Sequence, residues 1–472
     1  MKMYFAPLLI WISICHDFVS AFGVSKHQYH LKNEDKFQHF DLATRTASLL
    51  KASVLTTDDS LSPDSDTLVN LGVVAYSKGN LEEARGLWEA VVEQDMSNAS
   101  ALYQLGILAK RQRYLSEACT FFRRALSVQP DIEKKHNDDV RYELGALLTE
   151  MGYFTESEAI FRDILSREPL IERPSMVKLA LANLLLDGRG LRSEALQVYN
   201  AAFEAGSTIM AFPAGITADS MGDHSTALEY YKKSFNEDAP DEDTALHLMV
   251  AYLRNGNHEA AAALRLRLPS HVLSSIDYVL ATPVAMDPSM QFFTHDMVHL
   301  ALDNTCETME GGLVLEFGVY HGKTIRMIAS YLPNYPVHGF DTFSGIPEDW
   351  HSLTPKNSYS THGKLPQAPD NVHYHVGLFS ETLPDFLNDH SDEPIRLMNI
   401  DCDLYSSTKD IFDAVHSRVV PGTVIIFDEY IMNPHWKEDE YKAFQEAAME
   451  FGWKYKYLGF SLVSQQAVVQ MI

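Results

Sequence analysis

An internal repeat with a period of 34 residues constrains this chain more than any other feature of its sequence. Gly72 and Trp88 are followed 34 positions later by Gly106 and Phe122, in the same register. Small residues at fixed positions let paired helices cross closely, and large aromatic residues fill the space between successive pairs. A period of this length predicts a solenoid of helix pairs instead of one globular core.

Weaker copies of the repeat continue as far as residue 270. A third copy follows a predicted polar insertion at Glu133–Asp139, and later copies are marked by Gly190, Gly222 and Gly256, which gives about six units. The pattern resembles the tetratricopeptide repeat. The resemblance implies an α-solenoid over residues 65–270 with a concave surface for a peptide or partner protein. The alternative is an array that only braces the rest of the chain or forms a homo-oligomer.

The N-terminal residues predict a targeting segment. A short basic start, the apolar run Tyr4–Cys15 and the small residues Val19–Ala21 have the order of a secretory signal, so residues 1–21 are expected to be removed. Residues 22–64 are expected to be a linker or transit region. The junction before Phe22 resembles the bipartite targeting sequences of algae with secondary plastids. The predicted destination is therefore the secretory lumen or such a plastid, and a buried first helix is the other interpretation.

Composition excludes several functions. The net charge of −26 argues against general nucleic-acid binding, because phosphate recognition needs a basic surface. The four cysteines show no CxxC spacing, so neither a disulfide framework nor a zinc site is predicted. The apolar run at the N-terminus is too short for a stable membrane span.

From about residue 285 the pattern changes to alternating strands and helices. The predicted strands are short apolar runs that end in polar loops: Leu313–Leu315, Val337–Asp341, Val372–Val376, Leu397–Asp401 and Thr423–Asp428. The predicted helices are Met290–Met309, Thr324–Tyr331, Thr382–Asn388, Ser407–Ser417 and Glu438–Phe451. This alternation predicts a Rossmann-like, doubly wound, mainly parallel sheet over residues 285–472, with ligands at the carboxyl ends of the strands. The fold class expected for the whole chain is α + α/β.

Leu313–Lys323 supplies the first strand of this region and the glycine loop after it. Gly318 and Gly322 let the backbone approach a ligand, and the next helix turns its N-terminus toward that ligand. Glu316 precedes the first glycine and suits a ligand that carries a cation better than a pyrophosphate. Asp341 ends the second strand, where such folds place an acid for ribose hydroxyls, although an acid there is also a common turn residue. Together these residues predict an S-adenosylmethionine loop.

Acidic residues follow two further predicted strands. If those strands are neighbours, Asp401, Asp428 and Glu429 converge, and their mutual repulsion is most simply relieved by a hard divalent cation such as Mg²⁺. Such an ion would polarise a bound hydroxyl. Asp403 and Thr408 have a plainer interpretation as caps of the next helix.

Four motifs in this half resemble the macrocin O-methyltransferase family. They are GFDTFSGIPEDW at Gly339–Trp350, HVGLFSETLP at His375–Pro384, IDCDLYSST at Ile400–Thr408 and IIFDEY at Ile425–Tyr430. The family comprises metal-dependent enzymes that use S-adenosylmethionine and are best known from sugar methylation in macrolide antibiotics. The resemblance implies cofactor contacts from Glu316, Gly318, Gly322 and Asp341, adenine contacts from Gly377, Phe379 and Ser380, and magnesium ligands at Asp401, Asp428 and Glu429.

The chain departs from the family at the metal and at the base. Family members often have two aspartates where this chain has Asp428 and Glu429, and no further acid follows that pair directly. His321 and His435 are the candidates for proton removal, and Asp403 is the third catalytic candidate. A metal-bound hydroxyl that needs no separate base is the alternative. Gly345–Leu365 is expected to be a lid or acceptor loop.

These features together predict an S-adenosylmethionine-dependent, magnesium-assisted O-methyltransferase. Its acceptor would be a hydroxyl of a sugar or another small molecule. One alternative is a repeat-mediated adaptor with a degenerate methyltransferase domain. The other is a methyltransferase whose repeats recruit protein-linked or glycan-linked acceptors.

Overall fold

The computed structural model describes residues 63–128, 134–167, 173–283, 290–306, 311–351, 354–391 and 393–472. The targeting predictions for residues 1–21, and nearly all of the linker predicted up to residue 64, lie outside these ranges. The described chain forms two compact units. The first holds the described residues up to Leu148 with Ser166 and Arg167, and the second holds Thr149–Leu165 and the described residues from Arg173 to Ile472. Among the described helices, none is both long enough and apolar enough to cross a membrane.

The first unit is built from the helices of the early repeats. They are α1 (Ser65–Ser77), α2 (Leu81–Gln94), α3 (Ala99–Arg111), α4 (Leu115–Val128) and α5 (Lys134–Glu150), the last of which runs into the second unit. A Cβ on Gly72 would lie 2.3 Å from the Trp88 ring, and one on Gly106 would lie 2.4 Å from Phe122. The predicted pairing of glycine with a large aromatic residue is therefore confirmed in two successive repeats. From Lys134 onward, the residues of the insertion predicted at Glu133–Asp139 belong to helix α5.

The later repeats belong to the second unit. Their helices are α6 (Phe154–Leu165), α7 (Pro174–Asn183), α8 (Arg192–Glu204), α9 (Ala211–Ser220), α10 (His224–Ser234), α11 (Glu242–Arg254), α12 (His258–Arg265) and α13 (Ser270–Ala281). A π-helical turn, Leu184–Gly188, follows α7, and a 3-10 turn, Thr208–Met210, precedes α9. Gly215 meets Tyr231 as Gly72 meets Trp88, because a Cβ there would lie 2.7 Å from the ring. The repeat packing thus persists where the sequence pattern has weakened.

An eight-stranded sheet forms the C-terminal part of the second unit. Its strands are β1 (Met290–Gln291), β2 (Leu313–Phe317), β3 (Val337–Asp341), β4 (Val372–Val376), β5 (Ile395–Ile400), β6 (Val424–Phe427), β7 (Tyr455–Ser461) and β8 (Ala467–Met471). They lie in the order β1-β7-β8-β6-β5-β2-β3-β4. The run from β6 to β4 is parallel, β8 is antiparallel to both neighbours, and β1 is parallel to β7.

Helices connect these strands: α14 (Thr294–Cys306), α15 (Lys323–Tyr331), α16 (Phe379–Asp389), α17 (Tyr405–Val415) and α18 (Glu440–Glu450). The chain leaves β2 toward β3 on one side and returns to β5 on the other. The point where the strand order reverses lies between β2 and β5, and the loops after them flank the crevice where ligands bind in such sheets.

The predicted α + α/β architecture is confirmed, with two differences in detail. The single helix predicted from Met290 is wrong at its start, because Met290 and Gln291 pair with Phe460 and Ser461 and the helix begins at Thr294. The antiparallel strands β7 and β8 were not predicted. The first error concerns a pairing between residues far apart in sequence, which local periodicity does not report.

Candidate active site

The loop after β2 approaches the end of β5 so closely that only glycine fits at position 318. Gly318 has a φ of +86°, and a Cβ there would lie 1.7 Å from the carbonyl oxygen of Asp401. Its N–H donates to the carbonyl of Phe340 on β3 at 3.0 Å. Gly322, with a φ of +75°, caps the start of α15. The loop is therefore held between the two strands that flank β2, in a backbone conformation that glycine permits.

Asp341 shapes this loop through three backbone hydrogen bonds. Its Oδ2 accepts the N–H groups of Val319 and Tyr320, both at 2.8 Å, and its Oδ1 accepts the N–H of Phe343 at 2.7 Å. A carboxylate offers about four acceptor positions, so one remains for a ligand. The structure thus gives Asp341 a positioning role that the sequence did not reveal, and the ribose contact stays a prediction.

Glu316 is a buried carboxyl on β2 with an oxygen that has no hydrogen-bond partner. Its side chain is 1% exposed, and Oε2 is the unpartnered atom. Burial raises the pKa of Glu316 well above its ordinary value, against hydrogen bonds from the Ile325 backbone and the Asn399 side chain. An unpaired carboxyl oxygen in this position is costly unless a ligand supplies a donor. This unpartnered carboxyl oxygen suits the positively charged ligand group that the sequence predicted.

The residues predicted to lie near adenine follow the edge strand β4. Gly377 donates its N–H to the carbonyl of Asp341 at 3.1 Å, which places the two strand ends side by side. Phe379 begins α16, with its ring centre 5.4 Å from that of Phe317 in an edge-to-face arrangement, and Ser380 is exposed. The side chains of Val376 and Leu378 are large, apolar and exposed. They offer an uncovered apolar surface at the end of β4.

Asp401 and Asp428 meet at the ends of β5 and β6. Burial raises the pKa of both carboxyls, and for Asp401 the neighbouring charge of Asp428 raises it further. Gln466, which directly precedes β8, donates its side-chain amide to Asp428 Oδ1 at 2.5 Å. Two facing carboxyls of this kind retain a proton or attract a cation.

Glu440 is a site residue that the sequence analysis missed. It is fully buried at the start of α18, and its Oε1 has no hydrogen-bond partner. Burial and the charges of Asp428, Asp403 and Glu429 raise the pKa of Glu440 well above its ordinary value. An acid in the first turn of a helix is so common that its spacing carried no signal. Glu440 is brought to the carboxylates at the ends of β5 and β6 only by the tertiary fold.

The predicted metal ligands are not all brought together. Glu429 donates its backbone N–H to Glu440 Oε2 at 3.3 Å, and no three His, Cys, Asp or Glu side chains in the described ranges form a group that could hold a metal ion. What the structure assembles is the pair Asp401 and Asp428. Mg²⁺ commonly binds through one or two carboxylates, with water for its other ligands, so this donor pair fits an open magnesium site.

The three base candidates occupy different surroundings. Asp403 has a φ of +63° and lies within the carboxylate cluster, since its charge acts on Asp401 and Glu440. His321 is 5% exposed and lies beside the Tyr320 ring. His435 stacks at 4.2 Å on His351. Of the three candidates, Asp403 is the one that interacts with the buried carboxylates Asp401 and Glu440.

The predicted acceptor loop, Gly345–Leu365, makes contacts with the segments that follow β5 and β6. Ser406, in the first turn of α17, donates to Glu348, and His351 Nε2 lies 3.3 Å from Asp439 just before α18. The loop therefore spans the elements that follow β5 and β6.

Two family models match this chain. Residues 315–430 match the model described as a methyltransferase domain, and residues 99–132 match the model of the tetratricopeptide repeat. The chain thus carries a methyltransferase domain after tetratricopeptide repeats. A comparison with the curated proteins found no significant match.

Solved structures similar to each half are also found. The calicheamicin methyltransferase CalS11 is 20% identical, and the match covers 50% of this chain and 95% of CalS11 at a TM-score of 0.31. A second structure of CalS11 describes it as a TDP-rhamnose 3'-O-methyltransferase. PilF from Pseudomonas aeruginosa is 18% identical, and the match covers 43% of this chain and 89% of PilF at a TM-score of 0.38.

Proposed function

We propose that this protein transfers a methyl group from S-adenosylmethionine to a hydroxyl oxygen of a sugar or another small molecule. The observation that carries the proposal is the buried Glu316 carboxyl, whose Oε2 has no partner beside the Gly318 loop. It lies at the reversal of strand order, within the residues matched by the methyltransferase-domain model. In this arrangement a ligand with a cationic group would satisfy the vacant acceptor.

The residues around the loop account for each part of such a cofactor. S-adenosylmethionine supplies an electrophilic methyl group on a positively charged sulfur. Glu316 would accept a hydrogen bond from the ammonium group of the cofactor, and the free acceptor position of Asp341 would bind its ribose. The backbone at Gly318 would contact the part of the cofactor between these two groups. Gly377, Phe379 and Ser380 would surround the adenine, with Val376 and Leu378 contributing apolar contact.

The carboxylate cluster would prepare the acceptor. We assign Asp403 as the general base, because it lies within the cluster and is only half-buried. Asp401 and Asp428 would hold Mg²⁺, which would supply Lewis acidity toward the acceptor oxygen. Holding the oxygen and the methyl group face to face replaces a bimolecular encounter with an intramolecular one. The loop Gly345–Leu365 would limit the access of water to the bound acceptor.

Calorimetry with S-adenosylmethionine and with its demethylated product tests the cofactor assignment. Glu316→Gln should weaken binding of S-adenosylmethionine by about tenfold or more, because the neutral amide loses the ion pair with the ligand's ammonium group. Glu229→Gln is the matched control, since Glu229 is an exposed residue of the repeats paired only with nearby Lys232. Equal affinity in wild type and Glu316→Gln contradicts the assignment.

The tetratricopeptide match suggests a protein interaction as well. Repeats of this kind present an extended surface to partners, and a second copy of the chain is one such partner. Light scattering on the purified protein separates a monomer from a homo-oligomer. The N-terminal residues are proposed to direct the chain into the secretory pathway, which a fusion of residues 1–64 to a fluorescent reporter tests.

A further inference from the structure

One residue of the repeat region bonds directly to the residue that follows the cofactor loop. Asp187 lies in the π-helical turn between α7 and α8, and its Oδ2 lies 2.6 Å from the Nζ of Lys323. Its other oxygen, Oδ1, accepts the backbone N–H of Thr294 at 3.2 Å, at the start of α14. π-helical turns are rare and often mark functional positions. A single carboxylate of the repeats thus ties together two segments of the catalytic half.

Lys323 lies next to both the cofactor loop and the carboxylate pair of the catalytic half. It is the first residue of α15 and directly follows Gly322 of the cofactor loop. Its ammonium group is close enough to interact with the charges of Asp428 and Asp401 as well as with Asp187. The one lysine therefore bonds to a carboxylate of the repeats and also interacts with the charges of the carboxylate pair of the proposed active site.

A second contact from the repeats fixes the same junction. Gly152, in the turn before α6, lies so close to Lys323 that a Cβ on it would be 2.9 Å from the Lys323 Cα. The next residue, Tyr153, lies under the guanidinium of Arg326, 4.5 Å from its ring centre. Arg326 in turn donates to the carbonyl of His321 at 2.9 Å. Backbone, ring and charge contacts from the repeats therefore all converge on the segment from His321 to Arg326.

We infer that Asp187 is a positioning residue for methyl transfer, which acts by holding the Lys323 ammonium beside the Asp401–Asp428 pair and off its oxygen atoms. Opposite charges attract strongly in partly buried surroundings. Without the charge at position 187, the ammonium would turn to Asp401 or Asp428 and occupy the oxygen atoms that the acceptor and Mg²⁺ require. This inference rests on the proposed function, and it makes the repeats part of the active site.

The substitution Asp187→Asn isolates the charge. Asparagine keeps an oxygen that can accept the Thr294 N–H, so the start of α14 keeps its hydrogen bond while the ion pair is lost. Asp277→Asn is the matched control, because it removes a repeat-region carboxylate whose ion pair with Arg265, at 2.7 Å, is exposed and involves no residue of this junction. Lys323→Gln is combined with Asp187→Asn to test whether the displaced ammonium causes the defect.

The test measures kcat, affinity for S-adenosylhomocysteine and amide hydrogen exchange over residues 318–326 in the full-length variants. Asp187→Asn should lower kcat by about tenfold or more and change the affinity by less than about threefold. Adding Lys323→Gln should recover at least about threefold of the lost kcat, which a general structural defect would not allow. Amide exchange should rise in Asp187→Asn and stay unchanged in Asp277→Asn.

Two results overturn the inference. The first is a kcat for Asp187→Asn equal to that of Asp277→Asn. The second is a double variant as impaired as Asp187→Asn or more so. If the wild-type protein transfers no methyl group, the proposed function fails, and the exchange measurement alone then decides: unchanged exchange over residues 318–326 in Asp187→Asn shows that Asp187 does not hold the junction.

Discussion

Replacing His338 with phenylalanine should make this protein less sensitive to acid. His338 lies on β3 and is 7% exposed, its Nδ1 3.1 Å from the Nε2 of His375. The groups that face it are the rings of His373, His375, His390 and Phe386, with no carboxylate among these contacts. Burial, followed by the charges of the neighbouring histidines, lowers the pKa of His338 from 6.5 to about 3.

The sign and size of the effect follow from this shift. A folded-state pKa below the unfolded value means that the folded protein binds fewer protons, so stability is fully present above the unfolded pKa and is lost as the pH falls toward the folded one. Between pH 7 and pH 5 the loss attributable to His338 is about 2 kcal/mol. Burial also lowers the pKa of His375, which adds to the loss in the same direction.

Urea unfolding at pH 7 and pH 5, with hydrogen exchange of β3 and β4 to locate the transition, measures this contribution. His338→Phe keeps an aromatic ring beside Phe386 and removes the titrating group, so its stability should fall by about 2 kcal/mol less than that of the wild type between the two pH values. His416→Phe, which changes an exposed histidine stacked on Phe451, should retain the wild-type pH dependence. Identical pH dependence in His338→Phe and wild type refutes the reasoning.

Three further substitutions probe the loop and the repeats. Gly318→Ala should abolish cofactor binding in calorimetry, because its Cβ would collide with the Asp401 carbonyl at 1.7 Å; wild-type affinity would contradict this. Asp341→Asn should destabilise the protein by about 2 kcal/mol in urea unfolding, because at least one loop N–H group loses its acceptor; an unchanged midpoint would count against the role assigned to Asp341. Trp88→Ala should lower the stability of the first unit by about 3–5 kcal/mol, since it empties the space against Gly72; thermal unfolding that matches wild type would show that the repeats tolerate the cavity.

Much of the fold was predictable because its signals are local. The fixed period of small and aromatic residues predicted the helix pairs, and the bounds of β3 and β4 match the predicted runs Val337–Asp341 and Val372–Val376. The short strand at Met290 was missed because its partner, Phe460 and Ser461, lies far along the chain. The pair β7 and β8 was also missed, although the two strands follow each other directly and form an antiparallel hairpin. Hydrophobic periodicity describes one segment at a time and contains no information about such partners.

The candidate site shows the same division. Gly318, Glu316 and Asp341 were singled out by their places at the ends of predicted strands, and their roles in binding the cofactor stay predictions. Glu440 and Asp187 were not, because an acid in a helix is ordinary until its neighbours are known. The positioning role of Asp341 was equally hidden, since its partners are backbone N–H groups that any residue could supply.

The most direct test of the proposed function is the transfer of a labelled methyl group. Wild-type protein is incubated with methyl-labelled S-adenosylmethionine, Mg²⁺ and a panel of sugars and other hydroxyl compounds, and the products are separated and located by mass spectrometry. The account predicts stoichiometric S-adenosylhomocysteine and a product labelled on an oxygen atom, with kcat at least about tenfold lower in Asp403→Asn. Label on nitrogen or carbon, or full activity in Asp403→Asn, would contradict it.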